Sequence, residues 1–386
     1  MKKVVIAQNI SFYAWHMRLN LAKALQEAGY EVIFLSSSDP FIASQPTQDH
    51  PPHDIYSQKL SEMFEYHDIP IHRKGTNPFT DLKTLYAFYR CYQSIQPDIV
   101  LHYTAKPNIY GTLAAKWINI PVINNIAGLG TLFIKEGPLT QLIKQLYKFS
   151  QRDADRIFFQ NPDDQSLFLK NHLIQPQQSA LLPGSGVDLQ TFHPLPSKAH
   201  KEFRFLLIAR LLRDKGIIEY IEAIKIIQAK YNNVQFQLLG ALDEANQTAI
   251  SSKELEAWID KGLITYLGVS DDVPSVIAQS DCVVLPSYRE GTPRSLLEAA
   301  AMEKPIITTN TVGCKEVVED GINGYLCRVR DANDLAKKLE KMLLLPPQAR
   351  QIMGKKGREK MQRSFDERIV FDHYLHAIKE VLSCNS

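Results

Sequence analysis

The stretch Glu290-Gly291-Thr292-Pro293-Arg294-Ser295-Leu296-Leu297-Glu298 places two carboxylates eight residues apart around a helix start. Gly291 lets the backbone approach a ligand closely. The N–H groups around the first turn of that helix, those of Thr292, Arg294, Ser295 and Leu296 on either side of Pro293, together with the positive end of the helix dipole, can receive a phosphate oxygen. Glu298, one turn inside, can accept two hydrogen bonds from a vicinal diol such as a nucleotide ribose. Glu290, before the turn, is placed to face a sugar. A solvated helix with acidic ends could also carry two glutamates, but the sequence strand, Pro286, Glu-Gly, helix, second Glu favours the ligand role.

A second group is Arg210-Leu-Leu-Arg213-Asp214-Lys215-Gly216, between an apolar strand and a helix. When a diphosphate leaves a sugar, negative charge develops on it. A fixed Arg210 with Lys215 nearby can stabilise that charge without a metal.

The elements that must carry these residues alternate strand and helix. Strands are predicted at Val4–Ala7, Glu31–Leu35, Asp98–His102, Pro121–Asn125 and Arg156–Gln160, with a helix from about Met17 to Ala28 and an exposed loop over Asp39–His53. A second series is predicted at Phe203–Ala209, Val234–Gly240, Ile264–Gly268, Asp281–Leu285 and Pro305–Thr309, with a last helix over Asp366–Ser383. Such alternation implies an α/β protein with two doubly wound parallel sheets. The domains expected are 1–183, a linker over 184–200, and 201–365, with 366–386 returning to the first. Two such sheets facing across a cleft would gather ligands at their strand carboxyl ends.

Composition bounds the rest. The 386 residues are 45% hydrophobic and 22% charged, with a formal net charge of +2, which fits a globular chain and disfavours nucleic-acid binding by bulk charge. No apolar run reaches the ~18 residues of a membrane span, and no signal peptide is expected. Five scattered cysteines without a C-x-x-C suggest neither disulfides nor zinc, and a reducing cytoplasm. Asp153-Ala-Asp155 spells a D-x-D but stands at the amino end of a strand, and the pairs His50/His53 and His373/His376 lack a third ligand. No metal or other cofactor is expected. A nicotinamide dehydrogenase is disfavoured because neither half has G-x-G-x-x-G after its first strand.

With these residues in place, the chain resembles the retaining nucleotide-sugar glycosyltransferases of family 4, which have the GT-B fold of two Rossmann-like domains. The family's E-x7-E corresponds to Glu290 and Glu298, and its Arg and Lys to Arg210 and Lys215. Its Gly-x5-Pro region corresponds to Gly268 through Pro274, with Gly268 and Val269 near the nucleotide, and its linker resembles Pro183–Pro194. In the first half, Phe12–Leu19, His102–Gly111 and Gly128-Leu-Gly130 resemble bacterial enzymes that extend saccharides on polyprenyl diphosphate. The resemblance implies a UDP-sugar donor, a hexose or N-acetylhexosamine transferred with retention, and a polyprenyl-diphosphate-linked acceptor met by Arg18, His102, Lys106 and Gly128. Two departures stand out. Gln8-Asn9-Ile10-Ser11 replaces a Gly-rich turn, and Ala127 stands where many relatives have a His; His102, at the end of a different strand, could supply a similar contact or be a satisfied buried histidine.

A stripe of Leu139, Leu142, Ile143, Leu146 and Tyr147, with Lys144, Lys148 and Arg152 beside it, gives residues 135–152 the pattern of a peripheral membrane helix on the inner face of the cytoplasmic membrane. The same pattern suits a helix packed on its own sheet. The aromatic-basic helix Leu82–Tyr92 carries the same ambiguity. Two other functions fit the fold: a sugar-nucleotide epimerase, which needs acid/base residues and no acceptor, and a lipid-linked saccharide binding module without activity.

Overall fold

The computed structural model describes residues 1–38, 54–71, 77–129, 137–196, 200–243 and 246–384. The loop over Asp39–His53 with its two histidines, Gly130 and the Phe133–Lys135 segment lie outside the described residues. The chain divides into two compact units, Met1–Leu182 with Val370–Ser386, and Pro183–Ile369.

The first unit is a seven-stranded sheet of β1 (Lys2–Ile10), β2 (Tyr30–Ser37), β3 (Glu65–Asp68), β4 (Ile99–Tyr103), β5 (Val122–Ile126), β6 (Arg156–Phe159) and β7 (Ser179–Leu181). The spatial order is β3-β2-β1-β4-β5-β6-β7, with every pairing parallel. Its central strands are buried along their length, as a sheet covered on both faces requires, with the polar His102, Asn124 and Asn125 toward the carboxyl ends of β4 and β5. The order reverses direction between β1 and β4, the point at which such sheets open a crevice at their strand ends.

The second unit holds β8 (Phe203–Ile208), β9 (Val234–Leu239), β10 (Thr265–Tyr266), β11 (Cys282–Leu285), β12 (Ile306–Thr309) and β13 (Gly324–Cys327), all parallel, in the order β10-β9-β8-β11-β12-β13. Here the reversal falls between β8 and β11. The loops that follow β8, β11 and β12 are therefore neighbours at one end of the sheet, although some 70 residues of chain separate the first two.

The stretch 184–196 is folded into this second unit. Val187 and Phe192 are buried in its core, the Val187 N–H donates to the Phe365 carbonyl, and Arg358 donates to the Phe192 carbonyl. The last helix, Glu367–Cys384, starts in the second unit. From Val370 onward it buries Val370, Tyr374, Ala377, Ile378 and Val381 in the core of the first, beside Val4, Ile6, Phe34 and Leu101. Two side-chain bonds fix it there: Asn125 donates to the Tyr374 hydroxyl at 2.8 Å, and Arg156 pairs with Glu380 at 2.8 Å.

Candidate functional site

The loop after β8 is stitched to the loop after β11. The Tyr288 N–H and the Ser287 hydroxyl both donate to the Asp214 carbonyl, at 2.9 and 3.1 Å. Gly216 makes this approach feasible. Its φ is +74°, and a Cβ there would lie 2.0 Å from the Pro286 carbonyl oxygen. The short turn Arg213–Lys215 that this junction fixes carries Lys215 to Glu290, Nζ to Oε1 2.5 Å, with both side chains mostly buried.

Glu290 is held from its other side by the loop after β12. Its N–H donates to the Val312 carbonyl at 3.0 Å, and a Cβ on Gly313 would fall within 2.5 Å of the Glu290 and Gly291 carbonyl oxygens. The ion pair thus sits where three strand-end loops meet.

Arg210 leaves the end of β8 and points its Nη1 at the buried Asp243 carboxylate, 3.5 Å away. Gly240, at the end of β9, lets the two loops touch: a Cβ there would be 1.8 Å from the Ala209 carbonyl oxygen. The Gly240 N–H in turn donates to the Gly268 carbonyl at 2.8 Å. Gly268 has φ +69° and open space where a Cβ would be, and Val269 beside it is exposed. Asp243 carries no motif signal. An acidic residue three positions past a strand-ending glycine is the pattern that could have found it.

The helix Arg294–Ala301 starts after the extended Pro293 with no side-chain cap on its first N–H groups. Burial of Leu296, Leu297 and Ala299–Ala301 fixes it against the sheet. Glu298 lies mostly buried with the Arg294 Nε 2.9 Å from its Oε1. Burial raises its pKa, and the Arg294 cation opposes that rise. Thr292 is packed by Gly184, where a Cβ would come within 2.8 Å of the Thr292 Cβ. The second unit therefore brings together Arg210, Lys215, Glu290, Gly291–Leu296, Glu298, Gly268 and Val269 along one rim of strand carboxyl ends. That rim presents cations, a carboxylate pair and a helix N-terminus, a combination suited to a diphosphate and its sugar.

In the first unit the arrangement differs from the one the sequence suggested. His102 is wholly buried. Its Nδ1 lies 2.9 Å from the Asn124 amide oxygen, which can only accept, so the ring proton sits on Nδ1. Nε2 then accepts from the Tyr92 hydroxyl at 2.7 Å. Asn124 is oriented by donating to Gln151 at 2.6 Å and to Thr112 at 2.9 Å. A Cβ on Gly111 would lie 2.6 Å from Nε2, so the ring is enclosed on that side as well. Burial lowers its pKa to about 4. His102 is a neutral core residue and does not replace the imidazole missing at Ala127, a correction to its assignment to the acceptor.

Arg18 is buried too, its guanidinium 3.7 Å over the Tyr103 ring. Lys106 is paired with the buried Asp81 at 2.7 Å, and the Tyr110 hydroxyl donates to the other Asp81 oxygen at 2.8 Å. Gly128, with φ +130°, is half-buried just past the end of β5. These residues belong to one unit. Asp153 pairs with Lys116, and Asp155 accepts the Val122 N–H at 2.8 Å, so both carboxylates of the D-x-D fasten the amino end of β5 and its neighbours. In the helix Pro138–Gln151, Tyr147 is buried and Ile143 and Leu146 pack on the core beside it. Among its described residues, Leu142 and Phe149 are the large apolar side chains left exposed. No described helix is long and apolar enough to cross a membrane.

Two parallel α/β sheets with a charged rim at the strand ends of the second define a GT-B glycosyltransferase fold. Solved structures agree: sucrose-phosphate synthase from Thermosynechococcus elongatus superimposes with a TM-score of 0.78 at 18% identity over 100% of both chains. Anabaena HepE in complex with UDP and glucose gives 0.78 at 16% identity, over 98% of this chain and 100% of that one. Residues 190–360 match the family Glycosyl transferases group 1 and residues 6–161 the family Glycosyl transferase 4-like, and the chain belongs to these glycosyltransferases. Among curated relatives, the N,N'-diacetylbacillosaminyl-diphospho-undecaprenol alpha-1,3-N-acetylgalactosaminyltransferase of Campylobacter jejuni is 28% identical, over 95% of this chain and 96% of its own length. The UDP-Gal:alpha-D-GlcNAc-diphosphoundecaprenol alpha-1,3-galactosyltransferase of Escherichia coli is 25% identical, over 77% and 79%.

Proposed function

We propose that this chain moves a hexose or N-acetylhexosamine from a UDP-sugar to a saccharide carried on polyprenyl diphosphate, with retention of anomeric configuration and without a metal ion, in the assembly of O-antigen, capsule or a glycan precursor. The observation that supports the donor half is the junction of the loops after β8, β11 and β12, where Lys215 pairs with Glu290; Arg210 leaves the end of the same β8, and the helix at Arg294 starts without a side-chain cap. The acceptor half is supported by the C. jejuni and E. coli relatives, whose names specify diphospho-undecaprenol-linked saccharides.

In this mechanism the donor diphosphate lies between Arg210, Lys215 and the N–H groups of Gly291, Thr292, Arg294 and Ser295, on the turn that the Leu296 N–H closes onto the Pro293 carbonyl, with Gly268 and Val269 near the nucleotide and Glu298 accepting from the ribose hydroxyls. As the bond from the anomeric carbon to the phosphate oxygen breaks, the diphosphate takes the electron pair and the cations neutralise it. The departing oxygen accepts the proton of the acceptor hydroxyl while that hydroxyl bonds the same face of the sugar. Retention follows without a covalent enzyme intermediate. Glu290 holds Lys215 and faces the sugar. Arg18, Lys106 and Gly128 remain the residues proposed to meet the acceptor, in a protein that works in the cytoplasm and attaches peripherally to the inner face of the membrane.

The test is a panel of UDP-sugars scored for protection against thermal unfolding, followed by UDP release with and without a polyprenyl-diphosphate-linked saccharide. One UDP-sugar should raise the midpoint, and UDP release should require the acceptor and persist in excess chelator. A new sugar epimer from donor alone would assign epimerase activity instead, and UDP binding without release would leave a binding module.

A further inference from the structure

The Pro78–Ile95 helix turns one side to the core and leaves the other bare. Thr84, Leu85, Phe88, Tyr92 and Ile95 are buried. Phe79, Leu82, Lys83, Tyr86, Arg90 and Gln93 fall on the opposite side, within an arc of about 100° at helical spacing. Phe79 is 80% exposed, Leu82 66% and Tyr86 60%. The strip continues across the next helix. The Tyr89 ring stands 6.5 Å from Tyr86 and 6.0 Å from Trp117, itself 60% exposed.

The arc holds two cations, Lys83 and Arg90, and no carboxylate. The helix's one acidic residue, Asp81, is on the buried side and is held by Lys106 and Tyr110. Soluble proteins rarely leave such a run of aromatic surface bare unless something covers it.

We infer that this face, Phe79, Leu82 and Tyr86 with Trp117, docks the chain on an anionic lipid bilayer. It deepens the peripheral attachment proposed above and moves it from the Pro138–Gln151 helix, whose Ile143, Leu146 and Tyr147 are spent on the core. The chemistry selects a bilayer over a second copy of the chain. In a two-fold contact through this face, Lys83 and Arg90 of both copies would share one interface with no carboxylate from the arc to offset them. An anionic headgroup layer neutralises both cations, whose long stems let them reach it while the neighbouring rings enter the acyl boundary. Tyrosine and tryptophan are the side chains that settle at that depth.

The experiment is flotation of the full chain with phosphatidylcholine vesicles that contain or lack phosphatidylglycerol. Three variants accompany it: Phe79→Ser/Tyr86→Ser/Trp117→Ser, Lys83→Glu/Arg90→Glu, and a control, Leu344→Ser/Ile352→Ser, at exposed apolar positions of the second unit. The wild type and the control should float with the anionic vesicles and stay behind with the neutral ones. Each of the other two variants should lose at least about tenfold in bound fraction, with the unfolding midpoint unchanged. Equal binding by all proteins, equal binding to neutral vesicles, or no flotation of the wild type would overturn the inference. So would a wild-type dimer that the triple variant converts to monomer without change in flotation, which would give the face to a second copy. UDP release with a short-chain, water-soluble acceptor, measured on the same proteins, reads the transferase proposal separately: its absence in the wild type sinks that proposal and leaves the vesicle result to stand or fall by itself.

Discussion

Arg210 and Lys215 are separated by four residues, yet each is fixed by a carboxylate from a distant loop, Asp243 and Glu290. If they stabilise a leaving diphosphate, Arg210→Ala and Lys215→Ala should each lower turnover by ~10²-fold or more, the effect of losing one transition-state donor. Near-normal steady-state turnover in either variant would remove that role. Glu298→Gln should weaken donor binding with little effect on folding, and an unchanged donor dissociation constant by calorimetry would contradict the ribose assignment. His102 makes a different kind of statement. Its pKa is about 4 in the fold against an ordinary 6.5, so the folded state prefers the neutral ring. Stability from this group is complete above pH 6.5 and is lost as pH falls toward 4, by about 3 kcal/mol at most. Denaturant unfolding followed between those pH values should show this slope in the wild type and a flatter one in His102→Gln.

At the scale of elements, the loops matter more than the strands that carry them. Gly216→Ala puts a methyl on a carbonyl oxygen at a left-handed φ, and should destabilise the second unit by roughly 2 kcal/mol or more while shifting Lys215 from Glu290. Unfolding and turnover should fall together, and a stable variant with intact turnover would show that the junction does not position Lys215. The central strands were legible because each holds a short apolar run, such as Val4–Ala7 in β1 and Ile99–Leu101 in β4. Their ends were less so. β1 runs on through Gln8-Asn9 to Ile10, where polar residues suggested a loop, because Ile10 pairs with Ser37 of β2 after a register shift, and the helix begins at once at Ser11. The strands β3, β7 and β13 were not predicted because each is an edge strand of only three or four residues, too short to show a pattern. The donor rim was readable since its residues cluster in two sequence windows. The buried network around His102 was not, because its partners come from far along the chain and no spacing encodes them, and Asp243 is marked only by its place three residues past the strand-ending Gly240.

Across the whole molecule, the last helix is the element whose position depends most on distant residues. It starts in the second unit and completes the core of the first, with Tyr374 buried against Tyr103 and Phe158. Tyr374→Ala should cost the first unit about 3 kcal/mol, as for other large buried aromatics. Tyr374→Phe should cost about 1 kcal/mol by leaving the Asn125 amide without its acceptor. Calorimetric unfolding reads both, and equal stability of the alanine variant and the wild type would mean that the helix is not part of that core. The apolar stripe of the Pro138–Gln151 helix shows the limit of pattern at this scale: periodicity identified an amphipathic helix, and only the fold shows that Ile143, Leu146 and Tyr147 pack inward while Leu142 stays exposed.

The account stands most directly on where a donor's phosphates lie. A crystal structure with an intact UDP-sugar bound, grown without divalent metal, should place the diphosphate oxygens within hydrogen-bonding distance of Arg210, Lys215 and the amides that follow Gly291. Phosphates bound away from all three, or held only after magnesium is supplied, would contradict it.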